Sequence, residues 1–199
     1  MNRVTIFQAV RAAARPNLFA DPGNVLALDN LLDAFDVPRD QKPQSGEQLR
    51  ASPKAVRLIH SSEDCELTAY KDPGSDDGLP ITIGWGSTTD ENGKPIKLGD
   101  VWSQERADTR FAMDLAKFEA DVRSMIGSAP TTQNQFDALV SFTYNLGKGN
   151  VSGSTLMAKH KAGDYAAAKA NFAKWIYNDG KVMKGLIRRR AAEAALYAS

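Results

Sequence analysis

Apolar positions along the 199-residue chain change their spacing twice, from helical to alternating and back to helical. Over residues 4–36, Phe7 and Val10, and then Leu28, Leu31, Leu32 and Phe35, recur at helical intervals, which predicts two short helices with Thr5 as a cap. Residues 37–52 carry two prolines, a glycine and almost no apolar periodicity, and read as a linker. Ser52-Pro53 then supplies a capping side chain followed by the ring suited to a first helical position. Val56, Ile59 and Glu63 follow on one face of that helix, with Glu63 at its C-terminal end. Leu67 to Tyr70 and Pro80 to Trp85 read as short strands around a Gly/Asp-rich loop, and a further turn falls at Asp90 to Gly93. From Ser103 the spacing of Phe111, Leu115, Phe118, Val122 and Ile126 predicts a helix with one buried stripe. Thr132 and Gln135 have capping-box spacing before Phe136, Leu139, Val140 and Thr143, in a helix that should stop near Gly147. Three shorter helices are expected from Ser154, from Asp164 to about Tyr177, and from Leu186 to Tyr197. A small sheet followed by mostly helical structure is an α+β fold. The expected organisation is a helical segment over 1–36, a linker over 37–52 and a main domain over 53–199.

Composition narrows the partners. With 25 basic and 24 acidic side chains and 42% hydrophobic residues, the chain resembles an ordinary globular protein. It lacks the basic surplus of a nucleic-acid binder. Arg188, Arg189 and Arg190 form the one basic cluster, and their helical setting assigns them to packing and local pairing. Cys65 is the single cysteine, so no intrachain disulfide or multi-cysteine metal site can form. The N-terminal residues lack the apolar core of a secretory signal, and no apolar run is long enough to span a bilayer. No stable membrane insertion is expected, and a target beyond the cytoplasm would require another protein to open the way.

The chemistry concentrates between Glu63 and Thr82. Cutting a glycosidic bond needs two carboxyl-type functions flanking it, one to protonate the leaving oxygen and one to activate water or stabilise positive charge. A glutamate leaving a helix into a cleft can be partly desolvated, as a general acid should be, which favours Glu63; Glu66, three residues on, is a rival that spacing does not exclude. Asp72, in Asp-Pro-Gly, can serve as the second carboxylate or simply cap a turn. Thr82 alternates with Ile81 and Ile83, so its hydroxyl should face away from theirs, although threonine is also a plain strand former. Asp76 and Asp77 read as loop acids, because the ligand pattern of a calcium loop is missing. Gly84 and Gly86 flank Trp85 without the rest of a dinucleotide fingerprint. His60 and His160 stand one hundred residues apart with no indicated zinc or triad partners, and Cys65 reads as a structural thiol.

Glu63, Tyr70, Asp72 and the run from Thr82 through Ile, Gly and Trp to Gly86 together resemble the signature of phage-type lysozymes, glycoside hydrolase family 24. The similarity continues through residues 133–139, 144–147, 154–156, 163–165 and 185–193, covering about residues 53–197. The resemblance implies Glu63 as general acid, Asp72 as second carboxylate and Thr82 as the hydroxyl that helps hold the attacking water. It implies hydrolysis of the β-1,4 bond between N-acetylmuramic acid and N-acetylglucosamine, in a cleft between a sheet-containing lobe and a helical lobe joined by a long helix. No metal or organic cofactor is implied; the partner is the peptidoglycan glycan strand. A monomer is expected, held in the host cytoplasm until a holin-type protein permeabilises the membrane and then acting on the wall. Asn145 and Trp175 are weaker candidates for glycan contact, with capping or core roles equally open. Two departures stand out: Asp64 replaces the glycine that usually follows the catalytic glutamate, and the loop before Thr82 is longer than the family's shortest. They leave a catalytically inactive peptidoglycan-binding protein as the alternative, while Asp72 and Thr82 argue against a lytic transglycosylase. The N-terminal helical pair lies outside the signature, with wall binding and packing on the main domain both open.

Overall fold

The computed structural model describes residues 49–71, 77–178 and 180–199, together with scattered positions between 6 and 32. The chain divides into two compact units, residues 1–42 and 43–199. In the first, the described positions between 6 and 13 and between 24 and 32 are helical, with Leu32 buried and Leu31 exposed. The remainder of the predicted helical pair, Thr5, Phe7 and Phe35 included, and residues 37–48 of the predicted linker lie outside the described residues.

The second unit opens with α1 (Pro53–His60), where the Ser52 hydroxyl accepts from Lys54 N and proline takes a first-turn position. Residues 49–52, read from sequence as linker, are bound into this unit. Leu49 is fully buried in the helical core, Ala51 N donates to Glu119 at 2.8 Å and Ser52 N donates to Asp137 at 2.9 Å. One leucine in a polar run produces no periodicity, which is why the pattern passed over it.

Strands β1 (Glu66–Lys71) and β2 (Ile81–Gly84) pair antiparallel, with Tyr70 opposite Thr82, over a small apolar cluster of Ala69, Ile83, Ile96, Trp102 and Ala107. The Asp90 turn forms as predicted, the Asp90 carboxylate accepting from Asn92 N and Lys94 N. Helix α2 (Gln104–Ile126) has 23 residues, about 35 Å at 1.5 Å each. It contributes Ala107 to the small cluster and Val122 and Ile126 to the larger core, so it connects the two. Helix α3 (Gln133–Ser152) begins with the predicted capping box, runs buried through Thr143, and is broken at Gly147, whose φ of 77° and ψ of 152° are not helical. Helices α4 (Thr155–Lys161) and α5 (Tyr165–Asn171) follow, capped by Ser154 and Asp164. The predicted helix from Asp164 stops well short of Tyr177. A 3₁₀ turn (Phe172–Lys174) and a hairpin of β3 (Tyr177–Asn178) and β4 (Lys181–Val182) replace its second half, with Gly180 at φ 74°. The Asn-Asp-Gly triplet that follows Tyr177 in the sequence is a hairpin turn signal. Helix α6 (Lys184–Tyr197) closes the unit against α3.

Candidate functional site

Glu63 is delivered by the end of α1. Ser62 N and Glu63 N both donate to the Ile59 carbonyl, at 2.9 and 3.0 Å, which turns the chain out of the helix. The side chain of Glu63 keeps 26% of its exposure, and its Oε1 accepts from the Arg189 guanidinium, which is itself 5% exposed. Arg189 cannot swing freely, because its Nε donates to Glu193 at 3.3 Å and its Nη2 donates to the Ser141 carbonyl at 3.3 Å.

Glu193 anchors the site from below. Fully buried, it accepts from Ser141 Oγ at 2.8 Å and from Arg190 Nη2 at 3.1 Å, and Arg190 Nε lies 2.8 Å from its other oxygen. Burial pushes the Glu193 carboxyl above the ordinary range, opposed by the charges of Arg190 and Arg189. Burial lowers the Arg190 guanidinium to about 10, against the pull of Glu193, which leaves it charged at neutral pH. Two arginines at three and four residues before one glutamate on α6 are the local pairing expected of the triplet. The sequence does not reveal that Arg189 also reaches Glu63, 126 residues away.

The sheet carries the predicted hydroxyl on β2. Thr82 is 8% exposed and its Oγ1 donates to the Pro80 carbonyl at 3.2 Å. With the proton so directed, the oxygen's lone pairs are left to accept. Glu66, the rival acid, is exposed at the start of β1, and Asp64 is exposed beside Glu63. Asp72 and Asp76 lie outside the described residues; Asp77 accepts from Leu79 N at 3.0 Å in a loop turn. Asn145 accepts from Arg190 at 2.9 Å, and Trp175 packs edge-on to Phe142 at 5.6 Å, partly buried on the helical core.

The sheet is fixed to the helices through Trp85. Its carbonyl accepts from the Tyr144 hydroxyl at 2.6 Å and its Nε1 donates to Asp108 at 2.8 Å. His60 stacks on the indole at 3.8 Å. Burial lowers the His60 imidazole's proton affinity, with the Asp108 charge opposing. Burial holds the phenol of Tyr144 well above its usual value. Two residues further on, Ser87 donates to Asp114, which also pairs with Arg110 at 2.8 Å. Cys65 sits near Gln104 with its thiol raised by burial, which suits a structural role. His160 is a core residue between Thr131 at 2.9 Å and the Tyr197 hydroxyl at 2.6 Å. Among the described residues no three His, Cys, Asp or Glu side chains form a metal-binding group, and no helix is long and apolar enough to cross a membrane. An open groove of about 440 Å³ beside α2, lined by Glu91, Arg106 and Met113 among others, shares no residue with the Glu63 cluster.

The family model for phage lysozyme matches residues 60–193, a span that contains Glu63, Thr82, Arg189 and Glu193. The chain is 36% identical over 155 residues to the endolysin of Acyrthosiphon pisum secondary endosymbiont phage 1, across 76% of this chain and 99% of that protein. It is 36% identical over 151 residues to the endolysin of Bacillus phage PZA, covering 76% of this chain but only 56% of that longer relative. Among solved structures it is similar to the endolysin from Escherichia coli O157:H7 phage FAHEc1, with 36% identity and a TM-score of 0.66 over 75% of this chain and 94% of the other. The chain therefore belongs to the phage lysozyme family, and with it to the glycoside hydrolases.

Proposed function

We propose that the chain is an endolysin-type muramidase in which Glu63 protonates the leaving oxygen of the β-1,4 bond between N-acetylmuramic acid and N-acetylglucosamine. The observation that carries this assignment is the Glu63 carboxyl held at the helix exit by buried Arg189, whose other two nitrogens donate to Glu193 and Ser141. A general acid acts only within hydrogen-bond reach of the atom it protonates, so fixing its carboxyl is worth a buried arginine. As the glycosidic bond breaks, positive charge develops on the sugar ring, and Asp72 and Thr82 serve the opposite side. Thr82, with its proton directed to Pro80, accepts from the attacking water, and Asp72 takes up that water's proton or stabilises the ring charge. A carboxylate separation of about 6.5–9.5 Å would accompany direct attack by water, and about 5–5.5 Å a covalent intermediate. The Asn145 carbonyl oxygen is engaged by Arg190, so glycan contact there would use its amide nitrogen, and Trp175 would offer only what its packing on Phe142 leaves open.

The enzyme is further proposed to act as a monomer. It accumulates in the host cytoplasm and reaches the wall once a separate protein permeabilises the membrane. Turbidity of outer-membrane-permeabilised Gram-negative cells tests the central assignment. The wild-type chain should clear the suspension, and Glu63→Gln, with an unchanged circular dichroism spectrum, should not. Equal clearing by both would move the acid elsewhere.

A further inference from the structure

His60 lies three residues before Glu63, and Trp85 three residues after Thr82. Their rings stack with centroids 3.8 Å apart and planes inclined by 7°. Each ring is tied to a different part of the site. On the helix side, the peptide carrying Glu63 folds back onto the Ile59 carbonyl, beside His60. On the strand side, Ile83 and Ser87 exchange two backbone hydrogen bonds of 2.9 Å, which pinch Trp85 into a turn directly continuous with Thr82. The indole is held by Asp108 and its carbonyl by Tyr144, while Phe111 closes the edge at 4.5 Å from the imidazole and 6.1 Å from the indole. The Nε2 of His60 is buried and has no hydrogen-bond partner among the described residues. A histidine placed for polar contact would not leave that nitrogen unpaired. Its contribution is a flat face seated on a fixed partner.

We propose that the His60–Trp85 stack is a clamp that sets the helix exit bearing Glu63 against the strand bearing Thr82. Both are positioning residues for the acid and the water site, and neither is assigned a contact with the glycan. The inference rests on the role proposed for Glu63. It follows from the steep dependence of proton transfer on placement, where a shift of about 1 Å can cost on the order of 100-fold.

Two readouts test it: kcat and KM on solubilised peptidoglycan strands, and hydrogen exchange at the amides of Ser62, Glu63, Ile83 and Ser87. His60→Ala should lower kcat by roughly tenfold, leave KM within about twofold, and speed exchange on both sides of the stack. His60→Phe, which restores a flat ring without the nitrogens, should recover most of the rate and the protection. Wild-type kcat and exchange in His60→Ala would overturn the clamp, as would a loss confined to KM or a His60→Phe variant as impaired as His60→Ala. Should His60→Ala fail to fold, Asp108→Ala keeps both rings and frees the indole. A fall in kcat of a smaller size with faster exchange at Ile83 supports the clamp, and wild-type behaviour in both overturns it. If the wild-type chain leaves the strands intact, the functional assignment fails, while exchange in His60→Ala and His60→Phe still decides the clamp.

Discussion

Among the described residues Arg189 has two anionic partners, Glu63 and Glu193, and its removal would break both ion pairs. Breaking a buried pair typically costs about 3–5 kcal/mol, so Arg189→Met should destabilise the fold by about 3 kcal/mol in chemical denaturation. Arg189→Lys poses a finer question. A lysine keeps the charge but lacks the planar fork that reaches Glu63, Glu193 and the Ser141 carbonyl together. Expected is a folded variant, by circular dichroism, with a lytic rate in the turbidity assay at least about tenfold lower, given the sensitivity of proton transfer to placement. At this scale the sequence exposed some residues and hid others. Local pattern puts Glu63 at a helix end and Thr82 on a strand, and the structure has them in those places. Arg189 was hidden because its decisive partner is 126 residues distant, and a helical arginine triplet looks the same whether or not it crosses the fold. His60 was passed over for a related reason: a ring used for its face needs no chemical partner nearby in the chain.

Elements that announce themselves through caps were read well, and those that depend on a single turn residue less so. The Thr132–Gln135 capping box, the Ser103 cap and the break at Gly147 all stand where their side chains or their lack of one require. Removing the capping hydroxyl in Thr132→Ala should cost about 1 kcal/mol in urea denaturation. The helix expected from Asp164 to about Tyr177 ends at Asn171, and the hairpin of 177–182 follows in a stretch that the spacing left unassigned beyond Tyr177, while the docking of Leu49 gives no periodic signal at all. Gly84 makes a sharper test of element packing. Its φ is 64°, and an added Cβ would lie 3.3 Å from the Ala107 Cβ and 3.4 Å from the Trp102 ring. Backbone strain of about 1–3 kcal/mol adds to this crowding, so Gly84→Ala should lower the melting temperature and loosen the seat of β2 on α2.

For the whole molecule, acid stability should turn on His160. Burial lowers its proton affinity to a pKa of about 4, whereas the unfolded chain's histidine takes up a proton near 6.5. The unfolded state therefore binds the proton first as pH falls. The contribution of neutral His160 is complete above about pH 6.5 and is lost progressively down to about pH 4, amounting to about 3 kcal/mol. Denaturation midpoints measured from pH 8 to pH 4 should fall more steeply for the wild-type chain than for His160→Gln, whose side chain cannot titrate. A parallel decline in both would assign the acid sensitivity to other groups.

Asn134, near the start of α3, links α1 to the last described residue of the second unit. Its carbonyl oxygen accepts from Lys54 at 3.1 Å, and its amide nitrogen donates to the carbonyl and the hydroxyl of Ser199, at 3.1 and 2.9 Å. The start of α1 and the last described residue thus meet over one side chain that is itself only 4% exposed. A nick or a short insertion at the exposed Asn92-Gly93 turn leaves this junction alone, so the two halves of the unit would stay laced together by it.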